Sequence, residues 1–510
     1  MAGTVGRFCV PLPAAPVLSD PLWLATLRLC RHLLTSAGWA GVQRGQAGGG
    51  RMKVIICGAG QVGASIARHL ALEDNDITVI DTSTELAQRM DESHDVRGMV
   101  GYASHPDVLA QAGARDADML IAVTHSDEVN MVACEVAHSV FNIPLRIARI
   151  RKQAYLQPEW SAMFSAQHLA ISVVISPEVE IAHSIARRLR SPGAFEMVPL
   201  ADGKVHLIGV HCTNSSPLLN TPLRRLTEMF PDVRAAVLAV FRDGAGFVPK
   251  GNDQLRLGDD VHLVCRTADI VRVVALFGHS EAPARRLVIA GGGNVGFNLA
   301  QIVERHMRGI SIKMIEGNAD RAELISRSLR SSTVVLNGDA LDHEILEEAQ
   351  VGRAETIVAV TNDDETNVFT SLLAKRAGCG RAITLLNKTS YAPIVAGLGM
   401  DVVVNPAAVT VSSILRHVRR GRVAAVQTIG DNFGEVVEAE ALETSRAVSG
   451  PIGSIALPAG MMIGALVRGG EVIIPTSQTV IEPHDRVIVM ATADLVRKVE
   501  KLFAVGLEFF

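Results

Sequence analysis

Two glycine-rich loops carry the residue types with the clearest chemistry in the chain. The first loop consists of Gly58, Ala59, Gly60, Gln61, Val62 and Gly63, and the second consists of Gly291, Gly292, Gly293, Asn294, Val295 and Gly296. Each loop follows a short apolar run and precedes a stretch with helical periodicity. Glycines at this spacing permit a tight turn and a close approach of the backbone to a pyrophosphate, and the first amides of the helix supply N–H donors for its oxygens. Both loops therefore predict a phosphate-binding turn.

One acidic residue follows each loop at the end of the next apolar run. Asp81 ends Ile77-Thr78-Val79-Ile80, and Glu316 ends a similar run in the second half. A carboxylate at this place accepts hydrogen bonds from a free ribose diol and repels a 2′-phosphate, so NAD(H), ATP or ADP fit and NADP does not. The alternative is that the glycines serve tight turns and each acid caps a helix.

Further polar residues lie where later strands of each half should end. Thr124 and Thr361 follow buried apolar runs, and they either contact a ligand or belong to a helix N-cap. A strand predicted from Arg146 to Arg151 places Arg149 and Arg151 on one face, where their guanidinium groups either bind phosphate or lie at a solvated edge. The second half has Leu385 and Asn387 at these two places. The two clefts are therefore predicted to differ in ligand or affinity.

The elements that must position these residues alternate between buried strands and amphipathic helices. This alternation predicts an α/β fold with a parallel sheet covered on both faces. The glycine loop returns at an offset of 233 residues and the threonine motif at 237, which indicates a duplication.

A proline followed by a helix, and then a smaller strand-rich segment, comes after each copy. We predict two large modules at 52–175 and 285–405, and two small modules at 190–275 and 422–505. We interpret residues 1–51 as a leader that is disordered or precedes the true start at Met52.

Composition and missing motifs exclude several functions. The chain has 49 Lys and Arg against 53 Asp and Glu, interspersed along its length, which argues against nucleic acid as a partner. Its seven cysteines are scattered and indicate neither disulfides nor zinc. No apolar run is long enough to cross a bilayer, so any membrane link should go through a partner protein.

We find no metal motif, nucleophile elbow or Walker lysine, so we predict no metal and no catalytic residue. An NAD-dependent oxidoreductase is the enzyme alternative, but a large substrate domain is missing.

Five segments together are similar to a known family. They are Lys53–Gly63, Asp76–Asp81, Ser104–Asp107, Ala112–Thr124 and Ile147–Arg151. The chain closely resembles, from Met52 to about Leu502, the TrkA family of peripheral NAD-binding subunits of bacterial Trk potassium-uptake systems.

The resemblance implies a fold, a cofactor and partners. The fold would be two tandem Rossmann-like RCK_N domains, each followed by a small α+β RCK_C domain. The cofactor would be NAD(H), possibly joined by ATP or ADP, and the partner a membrane potassium-translocating subunit of TrkH or TrkG type. The chains would form a homo-oligomeric ring at the cytoplasmic face of the membrane. The family's nucleotide contacts would fall on Gly58–Val62, Asp81, Thr124, His125, Arg149, Gly291–Val295, Glu316, Thr361 and Asn362. The regulatory arm of another potassium channel or of an antiporter is an alternative, although tandem duplication in one chain favours Trk.

Overall fold

The structure of the chain is a computed structural model. It describes residues 51–503, apart from 73–74, 94, 231, 282–283, 331, 389–390, 392–393, 396–397, 399, 419–422, 431–432 and 449. The interpretation of residues 1–51 as a leader falls, except for Arg51, outside the described residues.

The first large module contains a six-stranded parallel sheet. Its strands are β1 (Lys53–Cys57), β2 (Asp76–Asp81), β3 (Arg97–Val100), β4 (Met119–Ala122), β5 (Leu145–Arg149) and β6 (Val173–Ile175), in the spatial order β3-β2-β1-β4-β5-β6. Its helices are α1 (Gln61–Leu72), α2 (Thr84–Ser93), α3 (Pro106–Gln111), α4 (Asp127–Ser139) and α5 (Pro177–Arg190). Successive side chains of β1, such as Ile55 and Ile56, belong to separate cores on opposite faces of the sheet. The predicted parallel sheet with two covered faces is confirmed.

The first small module is an antiparallel sheet. Its strands are β7 (Ala194–Leu200), β8 (Val205–His211), β9 (Ala235–Arg242), β10 (Ala245–Phe247) and β11 (Asp260–Arg266), in the order β10-β9-β11-β8-β7. The short helices α6 (Leu226–Met229) and α7 (Ile270–Leu276) accompany this sheet.

The second half repeats both architectures. Strands β12 (Arg286–Ala290), β13 (Ser311–Glu316), β14 (Thr333–Asn337), β15 (Thr356–Ala359), β16 (Arg381–Leu385) and β17 (Val402–Val404) form a parallel sheet in the order β14-β13-β12-β15-β16-β17. Its helices are α8 (Asn294–His306), α9 (Ala319–Ser328), α10 (His343–Glu348), α11 (Asp364–Arg376) and α12 (Pro406–Val418). The second antiparallel sheet holds β18 (Val423–Ile429), β19 (Gly434–Glu440), β20 (Met461–Arg468), β21 (Glu471–Ile473) and β22 (Arg486–Thr492), and α13 (Val496–Phe503) follows it. Its order, β18-β19-β22-β20-β21, is that of the first small module.

Two helices are exchanged between the halves. Helix α5 follows the first large module, but its apolar side chains Ile181, Ile185 and Leu189 belong to the core of the second. Helix α12 follows the second module, and its Ile414 and Leu415 complete the core of the first. Because each such side chain stabilises the fold by about 1.5–3 kcal/mol when buried, the exchange joins the two large modules firmly.

Within the described part of the chain, no helix is both long and apolar enough to cross a membrane.

Candidate functional site

The first glycine loop connects β1 to α1 where the strand order of the sheet reverses. Gly58 has φ +109°, and a Cβ atom on it would lie 3.1 Å from the Thr124 nitrogen. A Cβ on Gly63 would lie 1.8 Å from the Gly58 oxygen, whereas one on Gly60 would meet nothing within 4 Å. The turn and the helix-strand packing therefore require Gly58 and Gly63, while Gly60 leaves open space in front of the helix.

The two acids hold the glycine loops through hydrogen bonds to backbone amides. Asp81 accepts the Ala59 N–H at 2.6 Å with one oxygen and the Ser83 N–H at 2.8 Å with the other. Glu316 accepts the N–H groups of Gly292 at 2.8 Å and Asn318 at 2.9 Å in the same way. Each acid thus supports its loop, whereas the residues that cap the following helices are Ser83 and Asn318. Each carboxylate oxygen keeps a second lone pair, which can accept a hydrogen bond from a ribose hydroxyl.

The loops differ at their second residue because the acids differ in length. Ala59 stands opposite the shorter Asp81, and Gly292 stands opposite Glu316. A Cβ on Gly292 would lie 2.8 Å from the Glu316 Oε2 atom and 2.5 Å from the Ile325 Cδ1 atom. The longer acid therefore takes the space that a methyl group fills in the first loop.

A buried asparagine positions each threonine. The Asn130 side chain accepts the Thr124 N–H at 2.9 Å and the Thr124 hydroxyl at 2.7 Å through Oδ1, and its amide donates to the Arg149 oxygen at 2.9 Å. Asn367 makes the same bonds to Thr361 and to the Leu385 oxygen. The N-cap of α4 is Ser126, not Thr124. Neither asparagine was predicted as a site residue, although its return at the same offset was the available signal.

The matching bonds also establish which residues correspond. Because Asn130 reaches Arg149 as Asn367 reaches Leu385, the cation of the first cleft is replaced by an apolar side chain in the second. The strand that ends beside the first cleft is shorter than predicted. The prediction that it reaches Arg151 is wrong, since β5 ends at Arg149. The Asp127 carboxylate takes the next free N–H groups, those of Arg151 and Lys152.

Arg149 places a cation on the wall of the first cleft. Its side chain is half-buried, and its Nε atom has no hydrogen-bond partner among the described residues. Burial lowers the pKa of its guanidinium group. Arg151 instead donates from Nε to the Glu178 carboxylate at 2.9 Å, and the second Glu178 oxygen is buried without a partner in the described chain. A buried donor without an acceptor is costly, so Arg149 is suited to an anionic ligand.

The two clefts open into a shared cavity of about 1000 Å³, a size at the upper end for small-molecule sites. The predicted site residues on its wall are Gly58, Gly60, Gln61, Val62, Gly63, Asp81, Thr124, His125, Arg149, Gly293, Asn294, Val295, Thr361 and Asn362. The predicted site residues that are not part of this wall are Ala59, Gly291, Gly292, Gly296 and Glu316. Residues that sequence reasoning missed also line it, among them Leu86, Tyr102, Glu178 and Arg321.

Within the described ranges, no group of three His, Cys, Asp or Glu side chains is arranged to hold a metal ion.

Known families match both halves of the chain. The TrkA-N domain matches residues 54–177 and 287–406, and the TrkA-C domain matches residues 436–504. The first small module lies outside these matched residues, and its strand order is that of the second.

Individual relatives match nearly the whole chain. The Trk system potassium uptake protein TrkA of Azorhizobium caulinodans is 49% identical over 459 residues, which cover 90% of this chain and 100% of the relative. The TrkA protein of Vibrio alginolyticus is 40% identical over 456 residues, 89% of this chain and 98% of that protein. Among solved structures, the GsuK channel bound to NAD has a TM-score of 0.55 at 18% identity and covers 95% of this chain and 84% of that chain. This last likeness concerns the fold.

Proposed function

Because this chain belongs to the TrkA family of Trk-system potassium uptake proteins, we propose that it is a cytosolic regulatory subunit that senses NAD(H). The observation that carries this proposal is the cavity between the two large modules. The glycine loop, Asp81 and Arg149 all line the first cleft, and the Arg149 Nε atom has no hydrogen-bond partner among the described residues. These are the groups that phosphates and a ribose diol require.

Each group of the first cleft has a part in binding. The amides of Gly60, Gln61 and Val62 at the start of α1 receive the pyrophosphate, and the Arg149 guanidinium group on the cavity wall donates to a phosphate oxygen. Asp81 accepts the ribose hydroxyls with its remaining lone pairs and disfavours a 2′-phosphate by charge repulsion. Thr124 and His125 line the carboxyl edge of the sheet beside the ligand.

The second cleft has its own set of contacts and a weaker hold on anions. Its proposed contacts are Gly291–Val295, Glu316, Thr361 and Asn362. Leu385 stands where the first cleft has Arg149, so the second cleft lacks that cation. ATP and ADP are further candidate ligands, since they carry the same adenosine diphosphate unit.

The cavity is lined by both large modules, so a bound ligand can act on their relative orientation. A ligand shifts a conformational equilibrium only by binding one state more tightly than another. A nucleotide that touches both walls of the cavity favours one relative orientation of the large modules, and the exchanged helices α5 and α12 carry that orientation through the chain. We propose that a ring of such chains, at the cytoplasmic face of the membrane, transmits it to a TrkH- or TrkG-type potassium-translocating subunit. In this scheme 52–175 and 285–405 are the nucleotide-binding domains, and 190–275 and 422–505 the small ones.

Co-purification tests the partner, and calorimetric titration with NADH tests the ligand. The proposal predicts that the full chain isolates a Trk-type membrane subunit and binds NADH without consuming it. Capture of an antiporter or another channel would support the alternative regulatory role. Steady oxidation of NADH with small carbonyl compounds would instead indicate an oxidoreductase and refute the proposal.

A further inference from the structure

Leu86 and Arg321 occupy equivalent places beside the two clefts. In each half the residue two positions after the acid caps the following helix. The Leu86 N–H donates to the Ser83 hydroxyl oxygen at 3.3 Å, and the Arg321 N–H donates to the Asn318 Oδ1 atom at 2.8 Å. The same position therefore carries an apolar side chain in the first cleft and a cation in the second.

The Arg321 side chain lies across the second glycine loop. Its Nε–H donates to the Gly292 oxygen at 3.1 Å. Its guanidinium carbon lies 5.5 Å from the centroid of the Phe297 ring, within the range of a cation–π contact. Gly292 is also the residue whose N–H is held by Glu316. Arg321 is thus fixed at two points directly beside the acid of the second cleft.

The wall of the shared cavity reflects this difference. In the first half, Asp81, Leu86 and Tyr102 all face the cavity, so it extends to the place where a ribose would bind. In the second half, the wall includes Gly293 and Arg321 but not Glu316. The phosphate end of the second cleft is therefore open, and Arg321 forms the boundary towards its ribose end.

We propose that Arg321 covers the adenosine end of the second cleft and makes the first cleft the preferred site for an adenine nucleotide. This inference rests on the proposed function, because it concerns the same ligand. A nucleotide that binds at Glu316 must first displace Arg321 from the Gly292 oxygen and from the Phe297 ring. Loss of a hydrogen bond from a charged donor corresponds to roughly a 10- to 150-fold weaker affinity. Arg321 is accordingly a specificity-determining residue of the second cleft, with Leu86 as its permissive counterpart.

Calorimetric titration of the full-length chain with NADH, in wild type and two reciprocal variants, tests the proposal. We expect wild type to bind one NADH per chain tightly and a second at least about 10-fold more weakly, from the same comparison of bond energies. Arg321→Leu, which copies the first cleft at this one position, should strengthen the second binding step by about 10-fold or more, while Leu385 keeps it weaker than the first. Leu86→Arg, which copies the second cleft, should weaken the tight site.

The outcomes separate this inference from the proposed function. If Arg321→Leu weakens the second binding step or leaves it unchanged, Arg321 does not cover the cleft, and the inference is wrong while NADH sensing stands. If neither wild type nor Arg321→Leu binds NADH, ATP or ADP, both proposals fail. A Glu316→Gln change in the Arg321→Leu background should remove the gained affinity; its persistence would place the new binding elsewhere and overturn the inference. Circular dichroism and thermal denaturation of each variant confirm that it is folded.

Discussion

Replacement of Arg149 by leucine should weaken ligand binding without weakening the fold. The second half already carries Leu385 at the equivalent place, buried in the core of its module, so the architecture accepts leucine there. In the first half, the Arg149 Nε atom is buried and has no partner among the described residues. A tolerated leucine at the equivalent place and a buried donor without a partner are what we expect of a residue that serves ligand binding and lowers the stability of the fold.

The expected changes in melting temperature and in NADH affinity follow from the hydrogen bond that the Arg149 Nε atom lacks in the ligand-free chain. A buried donor without a partner costs about 1–3 kcal/mol, and because the Arg149 side chain as a whole is only half-buried, we expect a cost near the lower end, at about 1 kcal/mol. Arg149→Leu should therefore leave the ligand-free melting temperature unchanged or raise it by about 2–4 °C. The affinity for NADH should fall by about 10- to 150-fold, the equivalent of a charged hydrogen bond of about 1.5–3 kcal/mol.

Thermal denaturation without ligand and calorimetric titration with NADH measure the two effects separately. Arg151→Asn, which copies Asn387, is the matched control. It removes the partner of the Glu178 carboxylate, whose side chain is only 10% exposed, so it should lower the melting temperature. A lower melting temperature for Arg149→Leu together with an unchanged NADH affinity would refute the reasoning, because Arg149 would then be structural.

Four further predictions concern the glycine loop, the asparagine that supports it and the dependence of stability on pH. Gly60→Ala should fold normally and bind NADH at least about 10-fold more weakly, because its methyl group enters open space at the ligand. Gly63→Ala should fail to fold its module as judged by circular dichroism, because its Cβ would lie 1.8 Å from a loop oxygen. Asn130→Ala should destabilise the chain by about 3 kcal/mol or more in denaturant titration, because it leaves several buried backbone groups unpaired; a loss below about 1 kcal/mol would contradict this. The bonds from Arg286 lower the pKa of Glu355 from 4.5 to about 2. The stability that Glu355→Gln removes should therefore be full above pH 4.5 and vanish as the pH falls towards 2, and a deficit that is the same at pH 7 and pH 2 would contradict it.

The parts of the fold set by local pattern were predictable from the sequence. The buried strands, the helices after Pro177 and Pro406, and the duplicated order of elements all follow from apolar periodicity and from proline and glycine positions. Strand ends were less predictable, because the end of β5 depends on Asp127, which lies far from it in the chain.

Features that depend on long-range packing were not predictable. The exchange of α5 and α12 joins residues more than 100 positions apart, and no local pattern reports it. Arg321 reads in the sequence as an ordinary helical arginine, and its contact with the Gly292 oxygen becomes visible only in three dimensions. Asn130 was visible as a repeated residue, but its role required knowledge of the groups around it.

The most direct test of the central claim is potassium flux through the membrane partner, reconstituted in proteoliposomes with this chain and with or without NADH. The account predicts that NADH changes the flux with the wild-type chain and has little effect with Arg149→Leu, while both chains still associate with the partner. An equal response to NADH with both chains, or no response with the wild type, would contradict it.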